Sequence, residues 1–300
     1  MVSLIIPTYQ AEPYLARQLR LLAEQRPGVQ DLVILDSSSI DRTREIAAEG
    51  GARLVTIDKR AFDHGGTRTL AGQSYARGDI LVYMTQDAMP VGESAVATLV
   101  APLYADPECG AVFGRQLPYA EATPYARHLR LFNYPSVSYV RRYSDRAQYG
   151  IKAAFCSNSF AAYRRSALEA VGWFKPGLGM SEDLHVCARL LRAGYSLRYV
   201  AEAAVYHSHN YSLWQDCRRY FDVGAFFRKE RWLLDEFGRP SGEGLRYVLS
   251  EMSFLWREGR PWLVPASMVR AAAKLLGYQL GYYYRWLPPS IVRRLSLHAS

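Results

Sequence analysis

The sequence predicts an α/β fold in which a mostly parallel central sheet is flanked by helices. Short apolar runs alternate with helix-length segments along the first 115 residues, and this alternation is typical of parallel sheets. Several of the runs end in polar residues, and α/β sheets bind their ligands at such carboxyl strand ends. With 300 residues, 49% of them hydrophobic, the chain is also long enough to bury a sizeable core.

The N-terminal region begins with a strand, a helix and two further strands. The first strand is expected at Val2–Ile6, followed by Pro7 and by a helix that starts near Pro13 and has leucines at helical spacing. Strands at Asp31–Leu35 and Arg53–Ile57, with a helix at Asp41–Ala48 between them, continue the pattern. Asp36 therefore lies at the carboxyl end of the second strand.

The apolar run Ile80–Met84 reads as a buried parallel strand. It is followed by Thr85, Gln86 and Asp87, which places a carboxylate at the end of a central strand. Taken alone, Asp87 is equally consistent with a turn aspartate that stabilises its own loop. Two acids at the same rim, Asp36 and Asp87, favour a ligand site.

The segment Phe62–Arg68 joins these strands and contains paired glycines before a helix expected at Thr67–Ala76. Backbone N–H groups at Gly65, with the charge of Arg68, are suited to binding an anion. The competing interpretation is a helix start capped by Asp63 or Thr67, with His64 as a packed histidine.

The second half of the chain has weaker patterns. Arg115–Ile151 reads as a long connection or lid because its periodicity is poor. The other elements expected are helices at Glu93–Tyr104, Arg164–Val171, Glu182–Ala193 and Tyr211–Phe237, strands at Gly110–Gly114, Ala153–Tyr163, Tyr195–Val200 and Ala203–His207, and a loop at Gly238–Gly244.

Two polar pairs in this half are candidates for chemistry. Glu182 and Asp183 occupy the first turn of a helix, where acids are also common simply because they complement the helix dipole. His207 and His209 are two residues apart, so they point to opposite faces as long as the strand continues. We therefore expect only one of the two histidines to be a metal ligand.

Composition and charge limit the cellular setting. The four cysteines show no metal-ligand spacing and read as reduced, buried thiols, and the N-terminus has no signal-peptide character, so a cytoplasmic location is expected. The net charge is +9, and Gly259–Ser300 carries six basic residues without an acid. Its interleaved aromatic residues favour a membrane interface; nucleic-acid binding ranks second, because no nucleic-acid motif accompanies them.

Six ordered motifs carry a family resemblance over about residues 2 to 210. They are SLIIPTY, VILDSSSIDRT, FDHGGTRTLA, VYMTQDAMP, SNSFAAYRRSALEAVG followed by MSEDLHVCARLLRAGY, and VYHSHNYS. With these motifs the sequence resembles the family 2 glycosyltransferases of the GT-A fold, particularly the rhamnosyltransferase-like members. The resemblance implies a nucleotide-sugar-binding half at 1–115, an acceptor-binding half at 116–210 and a helical, basic and aromatic extension at 211–300.

The resemblance also implies roles for single residues. Asp183, with Glu182 beside it, would supply the general base of an inverting transfer, and Asp87 with His207 would hold Mg²⁺ or Mn²⁺. A helix start lowers the pKa of an acid, so Asp183 would depend on bound sugars and burial to become basic enough. The residues assigned to the donor are Pro7, Tyr9, Asp36, His64, Gly65, Arg68, Gln86, Asp87 and Asn158.

The sequence departs from the family pattern at two positions. Thr85 stands where members usually have the first acid of the DxD signature, and Ser37 stands where a second acid often follows Asp36. Metal affinity is therefore expected to be weaker.

The substrates are inferred from the same resemblance. It suggests dTDP-rhamnose as donor, with a UDP-hexose as the main rival, and a saccharide or lipid-diphosphate-linked saccharide as acceptor. The enzyme would then lie peripherally on an anionic membrane through 259–300, although that segment is equally consistent with a helical cap or a homo-oligomer interface. A non-catalytic nucleotide-sugar-binding protein would not need the acids and histidine together, and a nucleotidyltransferase is disfavoured because PTYQAEP lacks glycine and basic residues.

Overall fold

A computed structural model of the protein describes residues 1–239 and 242–297. The strands are β1 Val2–Thr8, β2 Asp31–Asp36, β3 Arg53–Thr56, β4 Ile80–Met84, β5 Met89–Pro90, β6 Cys109–Leu117, β7 Tyr139–Arg141, β8 Phe160–Arg164 and β9 Ser196–Tyr206. The helices are α1 Glu12–Ala23, α2 Thr43–Glu49, α3 His64–Leu70, α4 Ala95–Ala105, α5 Pro124–Asn133, α6 Arg146–Tyr149, α7 Arg165–Ala170, α8 Glu182–Arg192, α9 Leu213–Lys229, α10 Trp232–Phe237, α11 Glu243–Arg257, α12 Val264–Tyr282 and α13 Pro289–Leu295.

The strands form one mixed sheet in the order β3-β2-β1-β4-β8-β6-β9-β5, with β7 paired to β9. The pairs within β3-β2-β1-β4 are all parallel, which confirms the predicted α/β class. Beyond β4 the sheet becomes mixed, because β8 is antiparallel to both β4 and β6 while β9 is parallel to β6. The parallel character is therefore concentrated in the N-terminal half.

The strand β4 lies at the centre of the sheet and is buried along its whole length. Leu81 and Tyr83 belong to the core on one face, whereas Ile80, Val82 and Met84 belong to the core on the other. Alternate side chains of a strand point to opposite faces, so the continuous apolar run reflects a strand that is covered on both sides.

The segment Arg115–Ile151 is more regular than we predicted. It contains the end of β6, the helix α5, the short strand β7 and the helix α6, so the predicted long connection is wrong. The predicted strand Ala153–Tyr163 is also wrong in its first half, because pairing begins at Phe160. Ala153 and Ala154 are buried in a 3₁₀ turn, so their apolar character reflects burial and not a strand.

Two other boundaries differ from the predictions. The strands expected at Tyr195–Val200 and Ala203–His207 form one strand, β9, with a register shift against β6. The helix expected at Tyr211–Phe237 is divided into α9 and α10 around Glu230, whose buried carboxylate accepts hydrogen bonds from Lys175, His185 and Trp232. In the loop expected at Gly238–Gly244, residues 240–241 lie outside the described residues, and α11 already begins at Glu243.

The C-terminal region is a helical extension, as predicted, and α9 and α12 are its closest pair. A Cβ atom added at Gly277 would lie 2.2 Å from the carbonyl oxygen of Cys217, and one at Gly281 would lie 1.8 Å from that of Phe221. The glycines therefore allow the two backbones to approach. No helix within the described residues has both the length and the apolar character needed to cross a bilayer.

Candidate active site

One cavity of about 690 Å³ lies beyond the carboxyl end of β4. Asp87 from the β4–β5 connection and Asp183 from the first turn of α8 both line it. The structure therefore brings together two carboxylates that are almost a hundred residues apart in the sequence, as we expected for a single sugar-sized cleft.

Asp87 lies in a cluster with two histidines. Its Oδ1 is 3.5 Å from Nε2 of His207, and its Oδ2 is 3.5 Å from Nε2 of His209. Candidate ligand atoms of the three residues all lie within 4.8 Å of one another. We expected only one of the two histidines at a metal site as long as the strand continued, but β9 ends at Tyr206, so the alternation of strand side chains no longer applies and both rings approach Asp87.

Neighbouring side chains fix the orientation of His207. Its Nδ1 is 2.9 Å from Oε1 of Gln116, which also accepts a 2.8 Å hydrogen bond from Nη1 of Arg130. An amide oxygen can only accept, so Nδ1 of His207 carries a hydrogen, and the ring is held with Nε2 toward Asp87. Nothing in the sequence pattern pointed to Gln116 or Arg130, which come from β6 and α5.

The local charges keep Asp87 ionised. Burial alone raises the pKa of this carboxyl, but the hydrogen bond and charge of His207, together with His209 and Thr85, hold the pKa well below its usual range. Burial is also the main reason that the pKa of His209 is lowered to about 4, with repulsion from His207 second. An ionised carboxylate beside neutral His209 is a suitable donor set for a divalent metal.

Asp183 is in the opposite electrostatic situation. Burial, followed by the negative charge of Glu182, raises the pKa of Asp183 to about 7. Its two oxygens accept hydrogen bonds from the backbone N–H groups of Asn158, at 3.1 Å, and Leu184, at 2.8 Å. The carboxylate is therefore oriented by the backbone and has a pKa suited to proton transfer near neutral pH.

Glu182 has a different role from Asp183. It forms a 3.0 Å ion pair with Nη1 of Arg68 and accepts a 3.0 Å hydrogen bond from the side chain of Asn158. Burial by itself raises the pKa of Glu182, but the charges of Arg68 and His64 and the Asn158 hydrogen bond bring it below its usual value. Glu182 is thus an ionised neighbour of Asp183, and Arg68 forms its ion pair with Glu182.

The glycine segment supports the capping interpretation. The carboxylate of Asp63 accepts hydrogen bonds from the N–H groups of Gly66, at 2.6 Å, and Gly177, at 3.0 Å, so Asp63 caps α3. Gly65 lies against the backbone of Lys175 and does not line the cavity, whereas His64 and Arg68 do. Donor binding by Gly65 stays a prediction.

Three of the predicted donor residues, Pro7, Tyr9 and Asp36, do not line the cavity. Gln86 lines the cavity, and its side chain exchanges hydrogen bonds with the backbone of Tyr9. Asp36 is fully buried and accepts hydrogen bonds from Thr8 and Ser39. In this structure Asp36 therefore stabilises its own loop, and its carboxylate is not open to a nucleoside.

The remaining predicted residue, Asn158, lines the cavity with Ser157 and Ser159. No sequence pattern indicated that the C-terminal extension also reaches this cavity. Its contributions are Tyr211, Asp216, Arg219, Tyr220, Val223 and Lys274. His209, by contrast, could have been found from the HSH pattern if the end of β9 had been placed correctly.

A mixed α/β sheet whose cavity is lined by an acid–histidine cluster and by a second buried carboxylate is the arrangement expected of a sugar-transferring enzyme of the GT-A type. The chain matches the model for Glycosyl transferase family 2 over residues 3–172, and it belongs to that family.

Relatives and solved structures agree with this assignment. The chain is 40% identical over 300 residues to the O-antigen chain rhamnosyltransferase RfbN of Salmonella typhimurium, covering 100% of this chain and 95% of that protein. It is 40% identical over 299 residues to WbaN of Salmonella anatum, covering 99% and 94%. Mannosyltransferase PcManGT from Pyrobaculum calidifontis, in complex with GDP-Man and Mn²⁺, has a TM-score of 0.58 at 20% identity, covering 98% and 83%.

Proposed function

We propose that this glycosyltransferase moves L-rhamnose from dTDP-rhamnose, with inversion, onto a saccharide or lipid-diphosphate-linked saccharide in cell-surface polysaccharide synthesis. The observation that carries the proposal is that Asp183 and the cluster of Asp87, His207 and His209 line one cavity. The 40% identity to two O-antigen chain rhamnosyltransferases over their whole length supports the rhamnosyl donor.

The cluster fits a divalent metal, with Asp87, His207 and His209 as its ligands. Two imidazoles and one carboxylate suit Mn²⁺ better than Mg²⁺, which prefers oxygen ligands, and a GT-A neighbour contains Mn²⁺. His209 thus takes the place that Thr85 leaves without an acid. When bound, the metal would neutralise negative charge on the departing nucleoside diphosphate.

Asp183 would act as the general base. In its ionised form it takes the proton of the acceptor hydroxyl as that oxygen attacks the anomeric carbon, while the bond to the diphosphate breaks on the opposite face of the sugar. Because attack and departure are in line, the configuration inverts in one step and no covalent enzyme intermediate forms. Backbone hydrogen bonds from Asn158 and Leu184 hold the carboxylate in position for this transfer.

The outer face of the C-terminal extension is suited to an anionic membrane. Trp262 is 69% exposed and Trp286 is 83% exposed, and the segment that contains them has six basic residues and no acid. Interfacial tryptophans combined with basic residues are typical of proteins that lie on a bilayer. A lipid-linked acceptor would be reached from that position.

A panel of nucleotide sugars offered to the purified protein tests this proposal. With Mn²⁺ present, we expect dTDP-rhamnose to bind tightest and to be hydrolysed slowly in the absence of acceptor, and UDP-glucose and GDP-mannose to bind less well. The Asp87→Asn variant should lose the metal-dependent part of donor binding. Tighter binding of a UDP-hexose would contradict the donor assignment, and binding of no nucleotide sugar would contradict the function itself.

A further inference from the structure

The C-terminal extension supplies one wall of the active-site cavity, and that wall carries surplus positive charge. Arg219 of α9 and Lys274 of α12 both line the cavity. The neighbouring acid, Asp216, is paired with Nη1 of Arg270 at 2.5 Å. Among residues 1–239 and 242–297, neither Arg219 nor Lys274 has a carboxylate oxygen within 4.0 Å.

Aromatic rings hold these two cations without satisfying their N–H groups. The Lys274 ammonium lies 5.7 Å from the ring centroid of Tyr220 and 5.1 Å from that of Tyr247. The Arg219 guanidinium lies 5.6 Å from the ring of Tyr211. Cation–π contacts attract the charge but accept no conventional hydrogen bond, so the donors of both side chains remain available to a ligand.

A third cation, Arg130, completes the group. Its Nη1 donates to Gln116, while its buried Nε has no hydrogen-bond partner in the described part of the chain. Burial lowers the pKa of Arg130, and the nearby positive charge of Arg219 lowers it further. Cations from three different helices, α5, α9 and α12, therefore line the same cavity.

We infer that Arg219 and Lys274 form a diphosphate subsite for the acceptor, with Arg130 adding positive charge to the same cavity. Guanidinium and ammonium groups are the usual partners of phosphate oxygens. This inference rests on the proposed function, because it assigns a place to the diphosphate of a lipid-linked saccharide. It also gives the C-terminal extension a part in substrate recognition.

The position of Lys274 favours the acceptor's diphosphate over the donor's. The donor's diphosphate is assigned to the cluster of Asp87, His207 and His209. Lys274 faces the cavity, whereas the next two residues, Leu275 and Leu276, are 62% and 57% exposed on the outer face of α12. A lipid-linked saccharide has its diphosphate between lipid and sugar, and Lys274 lies between the apolar outer face and the cavity that contains Asp183.

Binding of farnesyl diphosphate to the full-length protein, saturated with dTDP and Mn²⁺, tests the inference by calorimetry. The wild type should bind it, and Arg219→Gln and Lys274→Gln should each weaken binding by about tenfold, the loss typical of one charged hydrogen bond. Arg285→Gln removes an exposed basic residue of the same extension outside the cavity lining and should have no effect. The affinity for dTDP should be the same in all four proteins.

Two results would overturn the assignment of the subsite, and a third would overturn the proposed function. Equal farnesyl diphosphate affinity in all four proteins would show that these cations do not form the subsite. Displacement of farnesyl diphosphate by dTDP, or weaker dTDP binding in the Arg219 and Lys274 variants, would assign the cations to the donor. Failure of the wild type to bind dTDP or hydrolyse dTDP-rhamnose would instead refute the proposed function.

Discussion

Asp183 shows how burial and a neighbouring charge, more than position in a helix, decide when an acid is ionised. At a helix start its pKa is expected to be low, yet burial and the charge of Glu182 raise the pKa of Asp183 to about 7. Of the two contributions that we expected, burial and bound sugars, burial is present in the structure, and the charge of Glu182 adds to it. Glu182 raises the pKa of Asp183 and Arg68 lowers it, so both residues influence when Asp183 is ionised.

The rate of transfer should depend on pH through Asp183. Only its ionised form accepts a proton, so kcat/KM should rise with pH along a limb whose apparent pKa is about 7. Removing the neighbouring charge in Glu182→Gln lowers the pKa of Asp183, so the limb should move to lower pH. Rates of rhamnose transfer or donor hydrolysis between pH 5 and 9 measure this shift.

The matched variant Asp183→Asn separates the two acids. It should lower the rate by about two to four orders of magnitude and leave dTDP binding unchanged. If Asp183→Asn retained activity while Glu182→Gln abolished it, the base would be Glu182.

Metal affinity should depend on His209 and on the hydrogen bond to His207. His209→Ala removes a ligand, and Gln116→Leu removes the acceptor that orients His207, so each should weaken Mn²⁺ binding by about tenfold or more. Titration of Mn²⁺ in the presence of dTDP measures this effect.

Asn210→Ala is the control for the metal prediction. Asn210 follows His209 in the loop after β9 and accepts a hydrogen bond from the backbone N–H of Thr123. Because Asn210 is outside the Asp87 cluster, its replacement should leave Mn²⁺ affinity unchanged. An equal loss in Asn210→Ala and His209→Ala would indicate disruption of the loop and not loss of a ligand.

At the scale of secondary-structure elements, α8 is anchored to the C-terminal extension. The Nε2 of His185 lies 3.1 Å from the buried carboxylate of Glu230, which also pairs with Lys175 at 2.6 Å. Burial lowers the pKa of His185 to about 4, so the neutral ring donates one hydrogen bond to Glu230 at pH 7. The break between α9 and α10 therefore helps to position the helix that carries Asp183.

Close packing of α9 and α12 should be sensitive to a single methyl group. Gly281→Ala places a Cβ against the carbonyl oxygen of Phe221, so the helices must separate and stability should fall by about 1–3 kcal/mol. Thermal unfolding of the purified variant measures the loss.

Gly244→Ala in α11 is the control for this packing prediction. A Cβ there would have no described atom within 4 Å, and alanine is the better helix former, so the variant should be at least as stable as the wild type. Equal stability of the Gly281 and Gly244 variants would mean that α9 and α12 are not in contact in solution.

At the scale of the whole molecule, the described part of the basic segment Gly259–Ser300 has an inner face and an outer face. Arg270 is paired with Asp216, and Lys274 lines the cavity, so these two residues belong to the enzyme interior. Exposed tryptophans and leucines occupy the outer face. The helical-cap interpretation therefore concerns the inner face of these helices, and the membrane interpretation, which stays a prediction, concerns their outer face. Residues 298–300 of the predicted membrane segment lie outside the described residues.

Membrane binding should depend on the outer face alone. A triple variant, Trp262→Ser, Leu276→Ser and Trp286→Ser, removes large exposed apolar side chains and should no longer sediment with anionic vesicles. A deletion of 259–300 would be a poorer test because it also removes α12, which packs against α9.

The control for membrane binding uses exposed apolar residues of the N-terminal half, residues 1–115. Ile40→Ser with Tyr104→Ser changes side chains that are 86% and 63% exposed and should bind vesicles like the wild type. Unchanged vesicle binding by the triple variant would contradict the membrane proposal, and its conversion from dimer to monomer in sedimentation velocity would instead indicate a homo-oligomer interface.

The sequence by itself determined the α/β class, the N-terminal strands and the acids at their ends. These depend on apolar periodicity and on local motifs such as VYMTQDAMP, which are readable over ten or fifteen residues. The pair Asp87 and Asp183 was also predictable, because the family resemblance connects distant motifs.

Only the tertiary structure decided the place of His209, Gln116, Arg130 and the cations of the C-terminal extension. His209 joins the cluster because β9 ends one residue before His207, and strand ends are poorly defined by composition. Arg219 and Lys274 reach the cavity because glycines let α9 and α12 pack closely. Such contacts join residues far apart in sequence, and their formation depends on burial and packing that no local pattern encodes.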